Sequence, residues 1–296
     1  MDATVRVAIF ADIHSNYTAL EACIADSKTL GAQEYIVLGD IVSDWHYPNE
    51  CVDAIRNLTP FVIKGNREQY FKDAMVYMDL WEIYDQFASL LWTYNTLTPE
   101  NLQYLTELPS VLKLCGKDAK IRAVHGSPFR SNELMRKEDG EGQLIRALEA
   151  IDEDILLFAH THEQWKYEFE GKLAVNPGSV GCHFGSEGKA EYALLEITAQ
   201  DVIVTLRQVA YDVDGNFRDM MKTDLYSKAC PWISVIYAAM KNGRDELRHF
   251  LDDIEDERKK DPFSLGGPIP NDIYYKVFDE LYAPRITEMI TGISGS

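Results

Sequence analysis

The stretch that most limits what this chain can become is Val5–Asn16, VRVAIFADIHSN, an apolar run that breaks off into Asp12-Ile13-His14. Val5, Val7, Ile9 and Phe10, without Gly or Pro among them, read as a buried strand, and such a strand belongs in the middle of a sheet. In extended backbone, residues two apart point to the same side, so Asp12 and His14 are expected to present a carboxylate and an imidazole together at the strand's C-terminal end. That is half a metal site.

The same punctuation recurs down the chain. Tyr17–Leu30 carries helical spacing up to a stop at Gly31, and Glu34–Leu38 gives a second strand ending in Gly39-Asp40. Pro48–Leu58 reads as a helix with Pro in its first turn, and Phe61–Lys64 as a third strand ending in Gly65-Asn66. Strand, helix, strand in this order predicts an α/β fold. The segment Glu68–Leu114 interrupts it, with Phe71, Met75, Met78, Trp81, Tyr84, Phe87, Leu91 and Tyr94 at three- and four-residue steps. It reads as a helical insertion (68–114) whose aromatic stripe is the core of a helix pair, with one or two rings free to face a site and stack on a base. A second helix start sits inside it, with Thr98 as N-cap and Pro99 at the first helical position. Strands resume at Ile121–Val124, followed by His125-Gly126, and at Ile155–Phe158, followed by His160-Thr161-His162. Leu173–Val175 leads into a turn-forming run, Asn176-Pro177-Gly178-Ser179-Val180-Gly181, and Tyr192–Ile197 and Val202–Val209 read as adjacent antiparallel strands. Beyond residue 211 the pattern is helical, at Ile233–Met240, Asp245–Ile254 and Asp272–Leu281, with a charged, solvated face over Asp252–Asp261. The expected organisation is a catalytic domain over residues 1–211 and a C-terminal helical appendage over 212–296.

Composition narrows the class. A formal net charge of −19 repels DNA and long RNA, while a small anionic substrate remains accessible to a local cluster of cations. The five cysteines are widely spaced and never in a CxxC pair, which excludes a thiolate zinc site and a disulfide framework. No apolar run approaches the roughly 20 residues a bilayer span needs, and the chain enters its first strand without a basic leader. These features predict a cytoplasmic enzyme without a membrane partner; its oligomeric state is not legible.

Collected in order, the strand-end groups are Asp12, His14, Asp40, Asn66, His125, His160 and His162. Oxygen and imidazole ligands without thiolates suit manganese, iron or zinc. In open α/β sheets, ligands gather at the carboxyl ends of strands, where each of these residues lies. Seven are too many for one such ion and about right for two.

In this order, Asp12-x-His14, Gly39-Asp40, Gly65-Asn66, His125-Gly126 and His160-x-His162 resemble the calcineurin-like metallophosphoesterases, and Asn176-Pro-Gly-Ser is similar to their closing turn. The resemblance spans roughly residues 5–210. It implies a two-sheet β-sandwich flanked by helices. It also implies one metal held by Asp12, His14, Asp40 and His162 and a second by Asp40, Asn66, His125 and His160, with Asp40 bridging. Two ions about 3.5–4 Å apart clamp a phosphoryl group and generate the bridging hydroxide that attacks in line. The expected activity is that of a phosphodiesterase or dinucleoside polyphosphate hydrolase; a general phosphomonoesterase and a non-catalytic protein-binding scaffold are the alternatives. A decayed scaffold loses ligands, and none is missing here.

Departures from the family pattern refine the expectation. Where many relatives continue after Gly-Asn with a His that protonates the leaving oxygen, this chain has Arg67-Glu68. Arginine keeps its proton near neutral pH, so Arg67 is expected to bind phosphate oxygens instead, with Arg130 a second candidate. Without a proton donor, a phosphate leaving group is favoured over an alkoxide, which points to a nucleotide anhydride of the diadenosine tetraphosphate type. Asp44-Trp45-His46 follows Gly39-Asp40 and Cys182-His183 follows the closing turn, so Trp45 becomes a candidate stacking wall, or else a packed ring, and His46 and His183 candidate substrate contacts. His249 is expected on the surface.

Overall fold

The computed structural model describes residues 4–116, 119–260 and 265–294. In chain order the elements are β1 (Val5–Phe10), α1 (Tyr17–Thr29), β2 (Glu34–Val37), α2 (Pro48–Leu58), α3 (Asn66–Lys72), α4 (Ala74–Ile83), α5 (Ala88–Thr96), α6 (Pro99–Glu107), β3 (Val111–Cys115), β4 (Lys120–Val124), α7 (Gly142–Glu149), β5 (Ile155–Leu157), β6 (Gln164–Phe169), β7 (Lys172–Pro177), β8 (Lys189–Ile197), β9 (Val202–Ala210), α8 (Val213–Met220), α9 (Asp224–Asn242), α10 (Glu246–Arg258), α11 (Asn271–Val277) and α12 (Ala283–Ser294). The strands form two mixed sheets, ordered β2-β1-β8-β9 and β3-β4-β5-β7-β6.

Alternation along β1 explains why two sheets stack. Val7, Ile9 and Ala11 face the second sheet, where they meet Ile121, Ala123, Leu157 and Val175. Ala8 and Phe10 face the other way, into a layer built with α1, α2 and the insertion helices. From Val7 to Phe10 each side chain of the strand is therefore buried on one side or the other, as a mid-sheet strand requires, while Val5 and Arg6 at its start are not. The outer face of the second sheet is closed by α7, through Leu144, Ala147 and Leu148.

Several boundaries differ from those the sequence predicts. Phe61–Lys64 is extended beside β2 but reaches strand geometry only at a bridge between Val37 and Val62. The insertion stops being helical at Glu107, and Val111–Cys115 is an edge strand antiparallel to β4. At five residues, VLKLC, with Lys113 its one polar side chain, the strand is too short to stand out from the preceding stripe. Asn176 and Pro177 are the last residues of β7 rather than the start of the turn. The sequence reading passes over helix α7 and the edge strand β6, although Leu144, Ala147 and Leu148 stand at helical spacing and Trp165, Tyr167 and Phe169 alternate with polar residues. The C-terminal helices pack on α5 and on the loop after β2 through Trp45, Phe217, Tyr237 and their neighbours, and close a further core around Phe250, Tyr274 and Tyr282. In the charged stretch from Asp252, Arg258 turns inward to the Gly266 and Gly267 carbonyls, while Asp261 lies outside the described residues. Among the described residues no helix is long and apolar enough to cross a membrane.

Candidate metal centre

The loops after β1, β2, β4 and β5, together with the first residue of α3, converge on one edge of the sandwich. They do so by a route the strand-alternation argument does not foresee. Asp12 (φ 50°), His14 (φ 50°), Asp40 (φ 48°), His160 (φ 71°) and His162 (φ 57°) all have left-handed backbone. Asp12 and His14 therefore meet because the chain curls back after the strand, and His160 and His162 repeat the curl. Each such residue costs about 1–2 kcal/mol, so the surroundings must hold the loops in place. Backbone bonds do part of this: Asp12 N–H donates to Gly39 O (3.1 Å), His14 N–H to Asp40 O (2.9 Å) and Ser15 N–H to Ile41 O (2.9 Å).

Glycine and a buried carboxylate do the rest. A Cβ on Gly39, which has φ 91°, would lie 2.2 Å from Gly65 N, and one on Gly65 would lie 2.2 Å from Asp40 Oδ1. Only two glycines let these loops touch. The Glu68 carboxylate, fully buried, accepts hydrogen bonds from Gly65 N–H (2.7 Å), Asp40 N–H (2.9 Å) and Ile41 N–H (2.8 Å). It caps α3 and ties the loop carrying Asp40 to the helix start carrying Asn66.

Among the described residues three groups of possible ligand atoms result, each with its atoms within 4.8 Å of one another: Asp12–His14–His162 and Asp40–His125–His160, which hold the expected ligands, and His14–Asp44–Cys182. Asn66 joins the second, with Oδ1 3.1 Å from His125 Nε2. The proton positions show what the space between them suits. His125 Nδ1 lies 2.7 Å from Leu38 O and His162 Nδ1 lies 2.6 Å from Cys182 O, so both Nδ1 atoms are N–H donors. His14 Nδ1 lies 3.0 Å from Asp44 Oδ2, which favours the same tautomer. The Nε2 atoms of His14 and His162 then face each other at 3.2 Å. His125 Nε2 faces Asn66 Oδ1, Asp40 Oδ2 at 3.5 Å and Asp12 Oδ1 at 3.9 Å, and that Asp12 oxygen is buried without a hydrogen-bond partner among the described residues. A cluster of inward-facing acceptors with backbone-anchored outer nitrogens fits divalent cations of the borderline type.

Without a cation, a proton takes that place. Burial pushes His125 down, but Asp40 beside it outweighs this and raises the imidazole to about 9. Burial would likewise raise Asp40, and His125 holds it well below the usual carboxylate range. Asp12 is raised by burial to about 6, and burial lowers His160 to about 4 and His162 well below its ordinary value.

Asp44, which the sequence reading does not place in the site, organises its far side. Its Oδ2 accepts from Arg67 Nη2 (3.0 Å) and lies beside His14 Nδ1; its Oδ1 accepts from Ser89 Oγ (3.1 Å) and Trp232 Nε1 (2.9 Å). One carboxylate thus connects a candidate ligand, the arginine after Asn66, the insertion and the C-terminal helix α9. Burial would raise its pKa, and Arg67 and His14 hold it well below the ordinary value. The signal available in the sequence is its place four residues after Asp40, but the partner Trp232 lies 188 residues away.

Above the two groups is a cavity of about 320 Å³, closed on one side by α9 and α10. Arg67 lines it, as do Arg136 and Arg248, which the sequence reading passes over. Arg130 does not; its side chain is exposed elsewhere. Trp45 is only 1% exposed and packs with Cys182, Val213 and Phe217, so it takes the packed role and is no stacking wall. His183 is also fully buried, with Nε2 3.1 Å from the Tyr211 hydroxyl, and burial lowers it to about 3; it does not reach the cavity. His46 is lowered by burial to about 4 and lies against Tyr47, away from the cavity, and His249 is exposed. Among the described residues, every imidazole that lines the cavity belongs to the two ligand groups.

Residues 5–200 match the Calcineurin-like phosphoesterase superfamily domain. An uncharacterized protein of Methanocaldococcus jannaschii is 28% identical over 236 residues, covering 74% of this chain and 93% of its own length. Among solved structures, a hypothetical protein from Pyrococcus horikoshii is similar with TM-score 0.67 and 28% identity, over 79% of this chain and 98% of that one. A metallophosphoesterase from Sphaerobacter thermophilus gives TM-score 0.60 and 26% identity, over 77% and 99%.

Proposed function

The chain belongs to the calcineurin-like phosphoesterase superfamily, and from that premise we propose that it is a two-metal hydrolase of phosphoanhydrides or phosphodiesters, with a nucleotide anhydride such as diadenosine tetraphosphate as the leading substrate. Asp12, His14, Asp40 and His162 would hold one cation, and Asp40, Asn66, His125 and His160 the other. Bound divalent cations supply Lewis-acid polarisation of the phosphoryl oxygens and an activated water.

The chain's own residues do the remaining work. Arg67 is held by Asp44 through Nη2 (3.0 Å) and lines the cavity with 16% of its side chain exposed, which puts a guanidinium within reach of a phosphate oxygen. Arg136, paired with Glu163 and Asp245, and Arg248, paired with Glu138, line the same cavity and would have to exchange those partners to hold a continuing phosphate chain. His162 is kept in orientation by the Cys182 carbonyl and by the Phe184 ring, stacked at 5.0 Å and 16°.

The observation that carries the substrate preference is the absence of a spare imidazole among the described cavity-lining residues. A departing phosphate, with a second pKa of about 6, leaves without general-acid help, whereas a serine or sugar alkoxide does not. The test is product analysis with manganese-loaded protein given diadenosine tetraphosphate, bis(p-nitrophenyl) phosphate or a phosphoserine peptide, with His125→Ala as the blank. The tetraphosphate is expected to be cleaved fastest, to AMP and ATP. Faster release from the phosphopeptide would show that another group supplies the proton and would overturn the assignment of Arg67.

A further inference from the structure

Beside the metal cavity lies a second one, of about 380 Å³, whose chemistry is different. It is lined by Tyr70 from α3, Tyr77, Leu80 and Trp81 from α4, and Phe87 and Leu90 at the start of α5, with the amide of Gln86 among them. Arg67, Trp232 and Leu251 line both cavities. The two spaces therefore share one wall, and that wall is fixed: Arg67 and Trp232 both donate to Asp44, the carboxylate beside His14. Trp81 is anchored from behind by edge-on packing against Phe71 and Tyr94, at ring centroid distances of 6.1 and 6.0 Å.

We propose that this aromatic cavity is the seat of the substrate's planar ring, so that the chain takes a phosphate ester or anhydride carrying a nucleobase rather than a bare or aliphatic phosphate. The inference rests on the metallophosphoesterase reading for the position of the phosphate and extends it to the other end of the substrate. Anionic chemistry lies on one side of Arg67, and aromatic and aliphatic surface lies on the other. A molecule that spans the shared wall needs a charged head and a flat apolar body, which is the description of a nucleotide. Gln86, with both a donor and an acceptor on its amide, suits the hydrogen-bonding edge of a base. A volume of this size is within the range of small-molecule sites and holds a base without room for a macromolecular segment. The aromatic stripe read from the sequence as helix-pair core is thus divided: Phe71 and Tyr94 pack inward, while Trp81 and Phe87 line the cavity together with Tyr70 and Tyr77, which lie outside that stripe.

The experiment compares the affinity of manganese-loaded protein for AMP and for ribose 5-phosphate by calorimetry, with tryptophan fluorescence recorded in parallel on the magnesium-loaded protein. Base stacking on aromatic side chains predicts that AMP binds at least about tenfold more tightly, and that it quenches Trp81 and Trp232 emission where ribose 5-phosphate does not. Leu80→Trp, which fills the cavity, is expected to bring AMP affinity down to that of ribose 5-phosphate, and Tyr77→Ala, at a more exposed wall, to move it the same way. Equal affinities for the two ligands in the wild-type protein, or an AMP preference untouched by both substitutions, would overturn the ring subsite even if the protein hydrolyses phosphate esters. Discrimination that persists in a protein without hydrolytic activity would support the subsite and refute the hydrolase reading, so the two failures are separable.

Discussion

Glu68→Gln is the substitution that most directly tests how the metal edge is held together. The carboxylate accepts from three backbone N–H groups, those of Gly65, Asp40 and Ile41, in a fully buried position. Hydrogen bonds to a charged group contribute roughly 1.5–3 kcal/mol each, and a buried donor left without a partner costs about 1–3 kcal/mol. Glutamine keeps one oxygen. Placed on the side of Gly65 and Asp40, it retains two weakened bonds and turns its amide N–H₂ against Ile41 N–H, which loses its acceptor. Part of the loss is offset, because burial and the neighbouring Asp40 both raise the pKa of Glu68, and the neutral side chain avoids both effects. The net expectation is a destabilisation of about 2–4 kcal/mol, from one lost and two weakened bonds less that relief. Asp40 and Asn66 sit on either side of the tie, so metal affinity should fall as well, by roughly the 10–100-fold typical of a lost residue behind a ligand. Urea unfolding of the metal-free protein and calorimetric titration with manganese measure the two effects separately. If Glu68→Gln unfolds within 0.5 kcal/mol of the wild type (about the scatter of a surface substitution) and binds manganese equally well, then Glu68 is not what joins the two loops.

Two further outcomes follow from the charge states. With His125 raised to about 9 by Asp40, a cation entering the cluster must displace its proton. Apparent manganese affinity should therefore rise as pH rises from 6 towards 9, and titrations at pH 7 in buffers of different ionisation enthalpy should show proton release; a pH-independent affinity over that range would contradict the assignment of His125 to the cluster. Glu191 under the closing turn is raised by burial from 4.5 to about 7, with Gln208 donating to one oxygen and the other oxygen without a hydrogen-bond partner among the described residues. Since the folded-state pKa is the higher one, its contribution is fully present below pH 4.5 and is lost as pH rises through 7. The lost stability is about 3 kcal/mol for a shift of this size, and Glu191→Gln should flatten that part of the stability profile. A wild-type profile that stays level between pH 5 and 8, or a slope the substitution leaves in place, would show that Glu191 is already ionised in the fold.

Much of the metal edge was legible because its chemistry is local. Asp12, His14, Asp40, Asn66, His125, His160 and His162 each stand at the end of an apolar run, and a buried strand can be read from five consecutive residues. Their common destination was legible because strand ends in such sheets share an edge. The manner of convergence was not, since left-handed backbone at Asp12 and His14 is held by bonds to Gly39 and Asp40 on another loop, that at His160 by its N–H bond to Asp12 Oδ2, and propensity would have spoken against it. Trp45 shows the opposite limit: an aromatic next to a ligand loop is equally compatible with a stacking wall and a core, and only α8 and α9, roughly 170 residues further on, decide for the core. Arg130 and Arg136 make the same point for charge. Both follow β4 within a dozen residues, and the one that lines the cavity is the one whose loop is drawn towards Glu163 and Asp245.

The helices beyond residue 212 change what the site can select. The strand-end ligands lie within the span that matches the superfamily, whereas Trp232 and Leu251, which form the wall between the metal cavity and its aromatic neighbour, lie beyond it. Asp44 is where the two meet: it touches the His14 imidazole on one side and the Trp232 indole on the other, with Arg67 between. The parts that would perform the hydrolysis and the parts that would choose its substrate are thus carried by different stretches of the chain and joined through one buried carboxylate. A substitution at Trp232 should accordingly alter the preference between ring-bearing and ring-free phosphates more than it alters manganese affinity, whereas Asp44→Asn should disturb both, because the weakened partner then faces His14 as well as Arg67. Competition titrations of AMP against ribose 5-phosphate, run beside manganese titrations on the two variants, distinguish these patterns. Equal effects of the Trp232 substitution on both quantities would place the indole in the metal site's support rather than in the substrate's path.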